Sequence, residues 1–316
     1  MWPMSEAPLW AAALLPTALA VAALGAASFD AVLSFAAARP RPRSPLEAAA
    51  AAGAPGREVL RLLVQQRRRT TAADVPLTRL GVVLLPVAAV LAAAVIPLGF
   101  RSVSDLADGI VWFNAMEALA WAAVWLAGWG PNSTLALIGG YRFLAQGLAY
   151  ELPHMLAITT AALGAESLRV GEIVDTQAGL WFAVWMPVAF AIYLLSAMAM
   201  AFWGPFDQPA GRDVAGGAAA ELSGVDRIVF LGGRWLLLTV AAAFSVPLFL
   251  GGGNGPLLPP WLWTALKTAA VMAFLVWIRR KVPTLRMDRY MEVAWVVLTP
   301  LAILQALVVA LVVLAR

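Results

Sequence analysis

Three observations predict that this chain is an all-α membrane protein with many spans. Hydrophobic residues make up 62% of its 316 residues, and charged residues only 13%. The mean hydropathy is +0.82. Several apolar runs exceed about 18 residues, the length at which a helix can cross the hydrocarbon core of a bilayer. We therefore expect a single membrane domain that covers residues 1–316.

The apolar runs divide the chain into eight predicted transmembrane helices. The first follows the segment MWPMSEAPLW, which has no basic n-region and no small-residue cleavage site, so we expect this span to be retained. The spans lie near residues 9–37, 80–99, 110–129, 139–163, 179–203, 228–250, 260–280 and 290–314.

Positive charge is concentrated in alternate loops, which predicts the orientation. Outer loops hold few basic residues and several acidic ones, such as Asp105 and Glu172. Because Lys and Arg favour the inner side, both termini are expected outside. The same rule explains the net charge of +4, so we do not expect the chain to bind nucleic acid. The inner basic residues are Arg39, Arg41, Arg43, Arg57, Arg61, Arg67, Arg68, Arg69, Arg279, Arg280, Lys281, Arg286 and Arg289.

The first inner loop is predicted to contain an amphipathic helix. Apolar Val59, Leu62 and Leu63 lie opposite the polar residues Arg61, Gln65 and Arg68. One interpretation is a helix that lies at the membrane interface. The other is a lid or a docking element for an inner-side partner.

The residue inventory excludes several kinds of chemistry. The chain has no cysteine and one histidine, His154. Cysteine-ligated iron–sulfur clusters, cysteine zinc sites, disulfides and thiol nucleophiles are therefore excluded. Any electron transfer must use centres in a partner.

The fourth predicted span carries an unusual set of polar residues. Arg142, Gln146 and Tyr150 recur every four residues and share one helix face, and Glu151 and His154 share a neighbouring face. Glu151 lies about 14 Å beyond Arg142 along the axis, near the middle of the membrane. We predict a proton relay or the wall of a polar cavity, and the alternative is a buried structural cluster. A di-iron site is rejected because it needs a second Glu-x-x-His motif.

A polar loop, Gly204–Gly224, interrupts the apolar sequence and is predicted to face the inner side. It contains Asp207, Asp213 and Glu221. We call it the central loop and expect it to line a site or a partner surface.

Other ionisable residues fall inside predicted spans. Glu117 and Lys267 are each about 10 Å from the outer end of their span, which places them to pair across helices. Arg234 is about 9 Å from an inner end, so it can snorkel to the interface.

Four stretches together resemble the membrane H subunit of bacterial respiratory complex I, the NADH–quinone oxidoreductase. The same family includes the matching subunit of membrane-bound hydrogenases and formate hydrogenlyases. The resemblance covers most of the chain from about residue 77 onward. The stretches are Ala127–Pro153, the central loop with its PFD and ELSG ends, Leu248–Lys267 and Val276–Ala302.

The resemblance implies a subunit that anchors a peripheral arm, forms the quinone chamber with it and takes part in proton coupling. By position, the implied chamber and coupling residues are Arg142, Gln146, Tyr150, Glu151, Asp207, Asp213, Glu221, Arg279, Arg286 and Asp288, to which the polar cluster above adds His154.

The chain also departs from the family pattern. Met200 and Trp203 stand where family members usually have an acid and an arginine, and Arg234 lies where an acid is usual. Asp30 is a weak substitute for a charged signature at the end of the first span.

We therefore predict a membrane subunit of a complex I-like proton-translocating quinone oxidoreductase in the bacterial inner membrane. Quinone is the expected substrate, iron–sulfur clusters belong to partner subunits, and the chain binds no cofactor and has no activity alone. One alternative is the equivalent subunit of an energy-converting hydrogenase. Another is a mainly structural anchor with a degraded proton path.

Overall fold

The computed structural model describes residues 5–38, 45–211 and 215–315. These ranges are helical except for their loops and two paired two-residue segments, Ser5–Glu6 (β1) and Arg101–Ser102 (β2), which run parallel. The predicted residues Arg39, Arg41, Arg43 and Asp213 lie outside the described residues.

The helices follow one another along the chain with short connections. A π-helical turn, Ala294–Leu298, separates the last two. In order the helices are α1 (Leu9–Ala38), α2 (Pro45–Ala52), α3 (Ala54–Leu63), α4 (Val75–Ala93), α5 (Gly109–Trp129), α6 (Thr134–Ala165), α7 (Val170–Thr176), α8 (Phe182–Trp185), α9 (Pro187–Met200), α10 (Gly224–Phe249), α11 (Pro260–Ile278), α12 (Met287–Val293) and α13 (Thr299–Leu314).

Within the described ranges, six helical segments are long and apolar enough to cross a membrane, which confirms the all-α membrane class. The two other predicted spans have physical peculiarities. The fourth is α6, which has 32 residues but carries the polar cluster described above. The fifth is divided into α8 and α9 at Pro187, whose ring removes a backbone donor and starts a new helix. The six segments are Trp10–Ala38, Val75–Ala93, Gly109–Trp129, Gly224–Phe249, Pro260–Ile278 and Met287–Leu314.

Helix α10 occupies the centre of the bundle, and α1 lies at its edge. In the most apolar window of each helix, 61% of α10 is buried but only 22% of α1. Helices α4 and α5 lie beside α10. They pack closely on each other, since Gly81 of α4 lies against the backbone of Ala127 of α5 and leaves no room there for a side chain. Phe113 of α5 stacks on Phe244 of α10 with ring centroids 3.7 Å apart. The core is thus formed by α4, α5, α6, α9 and α10.

The predicted amphipathic helix is α3, with one difference in its extent. Leu62 is buried, while Arg57, Glu58 and Arg61 are exposed. Since α3 ends at Leu63, the polar residues expected to continue its charged face, Gln65 and Arg68, follow the helix, and Leu63 is itself exposed.

Candidate functional site

A large cavity lies between α1, α3 and α10. Its volume is about 810 Å³. Most of its wall is apolar: α1 contributes alanines such as Ala23 and Ala27, α3 contributes Val59, and α10 contributes Leu231 and Trp235. A cavity of this size and lining accommodates a small organic molecule.

One end of the cavity is charged. Arg279 donates from Nη1 to the Asp30 carboxylate at 3.2 Å, and Arg280 donates to the same carboxylate and to Ser34. Arg279 also lies over the Trp203 ring, 4.4 Å from its centroid. These contacts join α1 to the C-terminal end of α11.

Arg234 completes this charged end and does not snorkel, so that prediction was wrong. Its side chain is buried. The buried Nε and Nη2 groups donate hydrogen bonds to the carbonyls of Ala201 and Phe202, just beyond the end of α9. A cation at a helix C-terminus is favoured by the helix dipole. Its guanidinium lies 4.9 Å from the Trp203 ring centroid, so Trp203 contacts two arginine side chains.

A second, polar cavity of about 370 Å³ lies behind α3. Glu58 and Leu62 line both cavities. The hydrogen bonds from the Arg61 guanidinium, at 2.6 and 2.7 Å, hold the pKa of Glu58 below its usual value. Arg68 and Arg227 also line the polar cavity.

The first two residues of the α6 cluster hold the central loop. Gln146 Nε2 donates to the carbonyls of Ala199 and Phe206, at 2.6 and 3.2 Å. Arg142 Nη1 donates to those of Ala215 and Gly216, at 3.0 and 3.3 Å. These residues satisfy three carbonyls of the central loop and that of Ala199 in the last turn of α9, and they do not line the large cavity.

The described acids of the central loop also have local partners. Asp207 accepts a hydrogen bond from Thr284 Oγ1 at 3.2 Å. Glu221 accepts one from Ser133 Oγ at 2.6 Å.

Arg286 and Asp288 pair with each other at 3.1 Å, and their side chains are 78% and 63% exposed. They form a surface pair outside both cavities.

The deeper residues of the α6 cluster meet α5. His154 Nε2 lies 2.9 Å from Glu117 Oε2. Asn114 Nδ2 donates to Glu151 Oε1 at 3.0 Å. Tyr150 is fully buried and accepts a hydrogen bond from Trp121 Nε1 at 2.7 Å.

The predicted contact between Glu117 and Lys267 is therefore wrong. Lys267 lies beside the Gly-rich turn that precedes α11 and donates at 2.7 to 2.9 Å to three of its carbonyls. Its ammonium also contacts the rings of Trp181 and Trp263. The lysine ammonium satisfies the carbonyls of the adjacent turn. Because this turn lies only a few residues before α11, a contact with it is favoured over a contact with a distant carboxylate. The three carbonyls are those of Leu250, Gly252 and Asn254.

The predicted site residues thus separate into distinct places. Of the described ones, Arg279 lines the large cavity, Glu221 lines the polar cavity, and the others belong to or contact the central loop, lie in the bundle core or form the surface pair. Sequence reasoning missed the cavity itself. A usable signal was the stripe of small residues along one face of α1, at Ala20, Ala23, Ala27, Ala31 and Ser34.

The fold and its cavity define a multi-pass helical membrane protein with an apolar cavity that is charged at one end. The chain belongs to the NADH dehydrogenase family, whose model matches residues 32–310. This match confirms the resemblance predicted from the motifs.

Several relatives are named as H subunits of NADH-quinone oxidoreductase, and they are similar over most of their length. The chain is 38% identical to H subunit 2 of the Geobacter sulfurreducens enzyme over 79% of this chain and 80% of the relative. It is 37% identical to H subunit 1 of the Geobacter metallireducens enzyme over 82% of both chains. It is 34% identical to the H subunit of the Geobacillus kaustophilus enzyme over 81% of this chain and 78% of the relative.

Proposed function

We propose that this chain is the H-type membrane subunit of a proton-translocating quinone oxidoreductase, in which it lines the quinone site. The names of the relatives support this function over the hydrogenase alternative. The observation that carries the proposal is the large cavity, because its lining matches the two chemically different parts of a quinone.

The apolar wall suits the hydrocarbon tail of a membrane quinone. Burying apolar surface gains roughly 25 cal/mol per Å², and the wall of α1 and α10 is apolar along the cavity. The charged end suits the head group. Arg279 and Arg234 are cationic donors beside the Trp203 ring, so they can stabilise the negative charge that develops on the quinone oxygens during reduction.

The electrons must come from a partner. Reduction of a quinone to a quinol takes up electrons and protons, and a chain without cysteine cannot hold an iron–sulfur cluster through thiolates. We place the partner and its clusters at the inner face, where the polar cavity behind α3 carries Arg61, Arg68 and Arg227. This chain is thus a non-redox subunit of the complex.

The same proposal includes the finer topology. Helix α6 and the α8–α9 pair are the two additional spans, which gives eight, with both termini outside in a bacterial inner membrane. Arg142, Gln146, Asp207 and Glu221 position the central loop beneath the cavity. Arg286 and Asp288, as an exposed pair at the predicted inner face, are assigned to partner contact.

Gly232 offers a direct test of the quinone site. It lines the cavity, and a Cβ built on it meets no atom within 4 Å. The variant Gly232→Leu should therefore fill the cavity without disturbing the fold. We expect the KM for quinone to rise about tenfold, a loss of about 1.4 kcal/mol of binding, in the purified complex in lipid.

Gly25→Leu is the matched control. Gly25 lies on α1, also has open space around its Cβ, and does not line the cavity. Equal KM values for Gly232→Leu, Gly25→Leu and the unmodified complex would refute the assignment of the cavity. A complex that evolves hydrogen and reduces no quinone would support the hydrogenase alternative.

A further inference from the structure

The bundle core contains a carboxyl–imidazole pair that the quinone cavity does not use. Glu117 on α5 and His154 on α6 approach to 2.9 Å, and their side chains are 1% and 0% exposed. Within the described ranges, neither Glu117 Oε1 nor His154 Nδ1 has a hydrogen-bond partner. The pair therefore retains buried polar atoms that its own fold does not satisfy.

A third titratable group lies beside the pair. Glu151 precedes His154 by three residues on α6, so the two side chains are neighbours on the helix surface. Asn114 occupies its Oε1, and its buried Oε2 has no hydrogen-bond partner among the described residues. On α9, the Tyr193 ring lies 5.2 Å from the His154 ring.

The depth of the pair separates it from both water phases. Glu117 is eight residues from the start of α5 and twelve from its end, so it lies about 12 Å and about 18 Å from the two ends. An acid near the bilayer centre costs roughly 2.5–3.5 kcal/mol on insertion scales. A chain that retains such an acid needs a compensating role for it.

A purely structural pair would use its hydrogen-bonding atoms. Leaving a buried polar atom unsatisfied costs about 1–3 kcal/mol, and the Glu117–His154–Glu151 group contains three such atoms beyond the paired ones: Glu117 Oε1, Glu151 Oε2 and His154 Nδ1. Ion pairs held for stability, such as Asp30 with its two arginines, use both carboxylate oxygens here.

We propose that Glu117 and His154 form a proton-carrying site in the bundle core, with Glu151 as the adjacent proton acceptor. This inference rests on the proposed function, because the oxidoreductase supplies the energy for the proton movement.

The proton balance is simple. The net neutral pair is either an imidazolium with a carboxylate or a neutral imidazole with a carboxylic acid, and both hold the same number of protons. Uptake of one proton gives the imidazolium with the carboxylic acid, and transfer of that proton to ionised Glu151 restores the neutral pair. The other titratable groups that face this group are Tyr150 on α6 and Tyr193 on α9, and Tyr290 on α12 lies beside Tyr150.

The test compares one single and one double variant in the complex reconstituted into lipid vesicles. Glu117→Gln removes the acid and leaves His154 with a neutral hydrogen-bonding partner. The double variant Glu117→Gln with His154→Gln keeps two side chains that hydrogen-bond each other and removes both titrations. Quinone reduction and the number of protons moved per electron are measured for each.

We expect both variants to reduce quinone at more than half of the unmodified rate, and to lose at least a third of the protons moved per electron. If the double variant assembles and pumps at the unmodified ratio, the pair is only structural and the proposal is overturned. Glu292→Gln is the control, since this acid in the last span is exposed and pairs with Arg289.

A failure of the proposed function has a different signature. An unmodified complex that reduces no quinone would refute that function, whereas normal reduction with an unchanged proton ratio in the variants would refute only the role of the pair.

Discussion

The contact between α6 and the central loop leads to a quantitative prediction for Gly139→Ala. A Cβ at Gly139 would lie 2.0 Å from the amide nitrogen of Ala218 and 2.3 Å from the carbonyl carbon of Gly217. Non-bonded carbon atoms prefer separations of about 3.5–4.0 Å. The loop must therefore move away from α6 by about 1.5 Å, by difference from that range.

A shift of this size breaks identifiable bonds. The Gly217 amide donates to the Leu135 carbonyl at 3.0 Å, and a separation that is larger by about 1.5 Å is outside hydrogen-bond range. Overpacking costs about 1–3 kcal/mol, and a lost hydrogen bond adds about 1 kcal/mol. We expect the loop to be destabilised by about 3 kcal/mol, which is a factor of about 10² in its opening equilibrium.

Hydrogen exchange measured by mass spectrometry on the purified complex provides the assay. Protection of the backbone amides of Gly217 and Ala218 should fall about 100-fold in Gly139→Ala, following the opening equilibrium. Gly179→Ala is the control, because a Cβ at Gly179 meets no atom within 4 Å. Unchanged protection in Gly139→Ala would show that the loop does not rest on α6 as described.

Two further predictions concern the side chains of Lys267 and Glu58. Lys267→Met removes three hydrogen bonds to backbone carbonyls, and unsatisfied carbonyls cost about 1–3 kcal/mol each. The turn at Gly251–Gly255 should therefore be cleaved faster in limited proteolysis. The control Lys281→Met, at an exposed position, should leave the cleavage rate unchanged, and equal rates in the two variants would contradict the assigned contacts. The pKa of Glu58 is lowered on folding, so the ionised carboxylate stabilises the folded state. This stabilisation is fully present above the unfolded pKa and is lost as the pH falls through the lower folded pKa. Hydrogen-exchange protection of α3 should decline in that acidic range by a small amount, under about 1 kcal/mol for an exposed pair. The variant Glu58→Gln should abolish the decline. A decline that persists in Glu58→Gln would show that another group causes it.

The membrane fold was predictable because hydrophobic length is a local property. Six of the predicted spans appear as long apolar helices. The exceptions also have local causes that the sequence displays: Pro187 starts a new helix within the fifth predicted span, and α6 combines great length with Arg142 and Glu151.

The site was less predictable because it depends on contacts between distant segments. The cavity brings α1, α3 and α10 together, and the sequence contains no period that links them. Glu117 and Lys267 were expected to pair from their similar depth, but depth does not define the rotation of a helix about its axis. Glu117 faces His154, and Lys267 reaches its own adjacent turn. Arg234 was misjudged for a related reason, since only the fold places the end of α9 within its reach.

Helix α10 physically links the cavity and the bundle core. It supplies Arg234 and Trp235 to the charged end of the cavity. About 10 Å farther along its axis, the Ala241 carbonyl accepts a hydrogen bond from the Tyr193 hydroxyl at 2.8 Å. The Tyr193 ring in turn packs against His154, with ring centroids 5.2 Å apart.

This link bears on how the proposed site and the proposed proton-carrying pair communicate. The described acids of the central loop are engaged in local hydrogen bonds, with Asp207 on Thr284 and Glu221 on Ser133, which suits a scaffold better than a chain of proton carriers. A ligand that binds more tightly to one position of α10 shifts the population toward that position. The surroundings of His154 then change through Tyr193. Coupling by the position of α10 requires no continuous row of carboxylates between the cavity and the pair. It is therefore compatible with Trp203 and Arg234, which stand where the family pattern has an arginine and an acid.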